Sequence, residues 1–130
     1  MKQYIAHLAL LVNDYDEAIE FYTQKLGFLV TEDTVLSETK RWVLVAPSGS
    51  STSLLLAKAA NEQQITRVGN QTGGRVFLFL ETDDIRRDVA SMKAVGINFV
   101  RESVQEAWGT VAVFEDLYGN LWDLIERNAI

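Results

Sequence analysis

One pattern occurs twice in this chain, and only its first copy carries a polar residue at the leading position. His7 lies in the apolar run Ile5-Ala6-His7-Leu8-Ala9-Leu10-Leu11-Val12, and seven residues later Asp14 opens a helix-like run that Gly27 closes. In the second half Phe77 lies in Arg75-Val76-Phe77-Leu78-Phe79-Leu80, and seven residues later Asp84 opens a run that Gly96 closes. Matched spacing of this kind implies two similar modules and a pseudo-symmetric fold with a site between the halves. Phe77 standing where the first half has His7 implies a site that has lost half of its polar chemistry.

The elements follow from periodicity. The first run, roughly 4–12, is almost wholly apolar, as suits a strand buried on both faces. Asp14-Tyr15-Asp16-Glu17 has the form of a capping box, and Ala18, Ile19, Tyr22 and Leu26 repeat at helical spacing as far as residue 26. Strands are expected at 28–33, 41–46 and 53–57, with Pro47-Ser48-Gly49-Ser50-Ser51 turning between the last two. The polar stretch 58–74 reads as a linker or mobile loop, with Ile65 and Val68 as candidate anchors. The second half repeats the order. A helix over 84–95 presents Ile85, Val89, Met92 and Val95, and strands are expected at 98–102, 109–115 and 121–125. The fold expected is α+β. Two βαβββ modules, 1–60 and 73–130, form one cupped mixed β-sheet within a single domain spanning 1–130.

Composition narrows the function. The chain has 130 residues, 48% of them hydrophobic, enough for a core in one compact unit. No apolar run approaches the roughly 18 residues needed to cross a bilayer. The absence of cysteine removes disulfides, thiolate metal sites and thiol nucleophiles. With no signal-peptide pattern at the N-terminus, the expected location is cytoplasmic. A net charge of −6 argues against nucleic acid as a partner, because phosphate neutralisation needs a basic surface. Gly69-Asn70-Gln71-Thr72-Gly73-Gly74 lacks the Lys-Ser/Thr ending of a phosphate-binding loop. The serines of 48–53 have no paired histidine.

Several segments resemble the vicinal oxygen chelate superfamily, which includes glyoxalase I, bleomycin- and fosfomycin-resistance proteins and extradiol dioxygenases. They are His7-Leu8-Ala9-Leu10-Leu11-Val12-Asn13-Asp14, Ala18-Ile19-Glu20-Phe21-Tyr22, Leu26-Gly27-Phe28 and Phe114-Glu115-Asp116-Leu117-Tyr118-Gly119-Asn120-Leu121-Trp122-Asp123-Leu124. The last is similar to the family's Asp-Pro-Asp-Gly-Asn turn and the acidic strand after it, with Leu117 and Tyr118 at the two middle positions. The resemblance covers essentially the whole chain and bears on the fold more than on any one activity.

The resemblance implies four ligand positions, one on each of four strands. They fall on His7, on the run 53–57 at Leu54, on Phe77 and on Asp123, where a glutamate is more usual. Leu54, Leu55 and Leu56 all lack a donor, so the second position is lost in any register, and Phe77 loses the third. One imidazole and one short carboxylate make a poor divalent-metal site. No cofactor is expected, and at most weak divalent-metal binding.

His7 and Asp123 are also the candidate catalytic residues. Asp123, between Trp122 and Leu124, needs a partner if buried. A His7–Asp123 hydrogen bond or ion pair satisfies both and implies a lowered Asp123 pKa. Ligand-binding candidates are His7, Trp42, Phe77, Phe79, Trp108 and Asp123, with Phe77 and Phe79 on the His7-equivalent face. The segment 102–108 is a candidate lid. The leading expectation is a homodimeric small-molecule-binding protein holding a partly apolar or aromatic ligand in the sheet cup. The alternatives are a metal-dependent lyase, isomerase or dioxygenase using His7 and Asp123, His7 as a metal-free general base, and a non-catalytic partner or regulatory subunit.

Overall fold

The structure is a computed structural model and describes residues 1–129. The chain divides into two compact units, Met1–Val68 and a second that begins at Gly69. The fold is α+β, each unit being built on a four-stranded mixed sheet.

The first unit contains β1 (His7–Val12), α1 (Tyr15–Glu20), β2 (Leu29–Val35), β3 (Arg41–Ala46), β4 (Ser53–Lys58) and the short α2 (Glu62–Ile65). Its strand order is β1-β4-β3-β2, with β1 parallel to β4 and the other pairs antiparallel. Asp14 caps α1 by accepting from the Glu17 amide at 2.9 Å. The expected single helix to residue 26 instead changes to a π turn over Phe21–Lys25. There the Thr23 hydroxyl donates to the Ile19 carbonyl at 2.7 Å, and the Leu26 amide reaches back to Phe21. Leu10, Val12, Val43, Val45, Leu54 and Leu56 are buried together with Ala18 and Tyr22 of the helical segment. Burying a side chain of the leucine or valine class contributes about 1.5–3 kcal/mol.

The second unit contains β5 (Val76–Glu81), α3 (Ile85–Ala94), β6 (Phe99–Glu106), β7 (Gly109–Glu115) and β8 (Leu121–Arg127), in the order β5-β8-β7-β6. Asp84 caps α3 through the Arg87 amide at 3.1 Å. Ile85 and Met92 are buried as expected. Val95 is 42% exposed, however, because the helix ends before it, and Ile97 is buried just beyond the turn. Both units thus repeat strand, helix and three strands.

Two connecting segments differ from the sequence reading. Residues 58–74 include α2, capped by Asn61, and Ile65 is exposed rather than an anchor. The candidate lid is mostly strand, since β6 runs through Glu106 and only Ala107 and Trp108 turn the chain into β7. The outer strands β2 and β6 are exposed along nearly their whole length, and both have shifts in pairing register.

Candidate functional site

In the first unit the pairing of β1 with β4 fixes which side chains share the helix-free face. His7 stands opposite Ser53, Ala9 opposite Leu55 and Leu11 opposite Ala57. Leu54 and Leu56 alternate to the other face and are buried at 5% and 1% exposure. Leu55, rather than the Leu54 expected from the sequence, is the half-buried leucine of β4 on the same face as His7. His7 is exposed, and its ring meets Trp42 edge-on at a centroid distance of 6.0 Å.

The second unit presents a row across its sheet. Cross-strand pairing places Arg101 on β6 opposite Val113 on β7, Val113 opposite Asp123 on β8, and Asp123 opposite Phe79 on β5. Phe79 is 65% exposed. Burial pushes the Asp123 carboxyl above its ordinary pKa, and the Arg101 charge opposes the shift. The lowered pKa expected from pairing with His7 is thus reversed, because desolvation outweighs the one favourable charge acting on Asp123.

Phe77 and Trp108 are placed differently from Phe79. Pairing between β5 and β8 shifts between Val76 and Leu78, which interrupts the alternation at Phe77. The Phe77 ring meets the buried Trp122 edge-on at 6.2 Å, and Trp122 stacks on Phe114. The carbonyl of Trp108 accepts from the Asn128 amide beyond the end of β8. That amide is five residues, about 16 Å of strand, from Asp123.

Sequence reasoning missed the role of Asp116. This carboxylate is 5% exposed. It accepts from the amides of Tyr118 and Asn120 at 3.0 and 2.9 Å, from Asn120 Nδ2 at 3.0 Å and from Trp122 Nε1 at 3.4 Å. Asn120 Oδ1 in turn accepts from the Gln71 amide at 3.1 Å. The start of the second unit is thereby tied to the turn before β8. Gly69 also packs there, and a Cβ on it would lie 1.9 Å from the Tyr118 carbonyl oxygen. The only sequence signal for this lock is the Asp-x-x-Gly-Asn turn itself.

The Glyoxalase/Bleomycin resistance protein/Dioxygenase superfamily matches residues 4–124. An uncharacterized protein of Shewanella frigidimarina is 60% identical, over 98% of this chain and 96% of its own length. Among solved structures, UcmS2 superposes with a TM-score of 0.84 at 30% identity, covering 96% of this chain and 98% of that one. TnmS3, an antibiotic binding protein from Streptomyces, gives 0.80 at 28% identity, covering 98% of both chains. Match and superpositions extend over both repeated halves, and the chain belongs to the Glyoxalase/Bleomycin resistance protein/Dioxygenase superfamily.

Proposed function

We propose that this chain is a cytoplasmic, homodimeric small-molecule-binding protein that holds a partly apolar or aromatic ligand on the helix-free faces of its sheets. The observation that carries the reading is the exposed His7 ring set edge-on to Trp42, a polar group beside an aromatic wall. The exposed Phe79 beside Asp123 offers a matching aromatic–polar pair in the second unit. The likeness to TnmS3, described as an antibiotic binding protein, supports ligand capture rather than turnover.

The donor set does not fit the divalent metal that the superfamily often binds. His7 has Ser53 directly opposite it, and Asp123 has Phe79 and Val113. Among the described residues no three His, Cys, Asp or Glu side chains are grouped to hold an ion. In the proposed binding His7 is a hydrogen-bonding group of the first unit's face and Asp123 of the second's.

The test is calorimetric titration with 2-naphthalenemethanol, a neutral planar probe. The folded protein should bind it, and Trp42→Ala should weaken binding about tenfold, a usual loss for removal of a central aromatic contact. Equal affinity in a variant that still unfolds cooperatively would exclude Trp42 from the site.

A further inference from the structure

This chain carries 18 acidic residues against 12 basic ones, yet one cavity in its first unit is lined by cations and by no carboxylate. The cavity has a volume of about 370 Å³ and lies where β3 begins and β4 runs on toward α2. Trp42, Leu55 and Ala57 supply its apolar side. The same Trp42 touches the His7 ring, so the cavity adjoins the proposed binding face.

The cations at the cavity differ in what they have left to offer. Arg41 is committed, with two hydrogen bonds to Asp33 at 3.2 and 2.7 Å and one to Asp16 at 2.8 Å. Lys40 and Lys58 also line the cavity, and among the described residues neither ammonium has a carboxylate partner. The remaining polar groups reinforce the same sign. Gln64 Oε1 is occupied by the Ala60 amide at 2.7 Å, which leaves the Gln64 NH₂ to donate. The Tyr15 oxygen accepts from the Arg41 amide at 3.2 Å, which leaves its proton to donate. An aromatic wall facing two uncompensated ammonium groups and further donors is complementary to an aromatic anion.

We infer that this cavity takes a planar aromatic carboxylate, its ring against Trp42 and its carboxylate held by Lys40 and Lys58. The inference rests on the small-molecule-binding reading and specifies the charge of the ligand. Charge selection comes from the two lysines and ring affinity from Trp42, so the two contributions separate by mutation.

The experiment compares 2-naphthoate, neutral 2-naphthalenemethanol and cationic 2-naphthylmethylammonium by calorimetry on the full chain. Naphthoate should bind about tenfold tighter than the neutral probe at low salt, with the cation weakest, and its advantage should shrink as salt rises. The double variant Lys40→Gln/Lys58→Gln should bring naphthoate to the affinity of the neutral probe. Lys40→Arg/Lys58→Arg should keep the preference. Both lysines are exposed, so neither variant removes core packing. Equal affinity for the neutral and anionic probes, or an anion preference that survives the glutamine pair, overturns the inference. If the neutral probe binds and depends on Trp42 while naphthoate gains nothing, only this inference falls. If no probe binds, the small-molecule reading falls with it.

Discussion

Asp116 and Asp123 lie seven residues apart in one unit and occupy opposite environments. Asp116 is buried but accepts four hydrogen bonds, whereas Asp123 is partly buried with only the Arg101 charge in its favour. Asp116→Ala should therefore destabilise the protein by about 2–4 kcal/mol in urea unfolding, since it leaves buried donors unpaired. A loss below 0.5 kcal/mol, roughly the effect of an ordinary surface substitution, would contradict the hydrogen-bond account. For Asp123 the sign runs the other way. A carboxyl whose pKa is raised on folding binds its proton more tightly in the native state. Its contribution is most favourable below the unfolded pKa and is lost as pH rises through the folded value. Asp123→Asn should thus raise the melting temperature at neutral pH, and the gain should vanish in acid below the ordinary Asp range. A lower melting temperature at pH 7 would mean that the ionised carboxylate has a partner worth more than its desolvation. Sequence marked both aspartates, one as a turn and one as a site residue. It did not reveal Asp116's bond to the Trp122 indole, which depends on how the strand after the turn folds back.

Strand positions were legible wherever polar punctuation framed an apolar run, so β3 and β7 have the expected bounds of 41–46 and 109–115. Phase within a run was harder to read. Leu54-Leu55-Leu56 contains no polar residue to mark the outward face, and only pairing with β1 assigns Leu55 to the side of His7. This assignment separates two similar substitutions. Leu54→Glu puts a charge beneath the helix and should cost about 3 kcal/mol or more, while Leu55→Glu on the half-buried face should cost under about 1 kcal/mol. Thermal unfolding of the two variants decides the matter, and equal losses would put the facing in doubt. β6 was read too short for a related reason. Arg101, Glu102, Ser103 and Gln105 give no alternation because most of that edge strand meets solvent on both faces. The π turn occurs together with the Thr23 hydroxyl's bond to the Ile19 carbonyl, and helical periodicity carries no trace of it.

At the scale of the molecule, the repeat seen in the sequence became two units of the same element order. Each unit leaves an edge strand, β1 or β5, that is apolar almost throughout. Exposed apolar side chains such as Ile5 and Phe79 motivate the proposed homodimer. Light scattering at about 20–50 µM, a range in which weak dimers still associate, should give twice the 14.6 kDa chain mass. A single-chain mass there would rule the dimer out. The opposite edges are built otherwise. β2 carries Glu32 and Asp33, β6 carries Arg101, Glu102 and Glu106, and both strands break register with their neighbours. A strand arriving from another molecule would meet fixed charge and a backbone whose hydrogen-bonding groups fall out of step. Edge addition is therefore disfavoured along β2 and β6, the charged and irregular outer strand of each sheet.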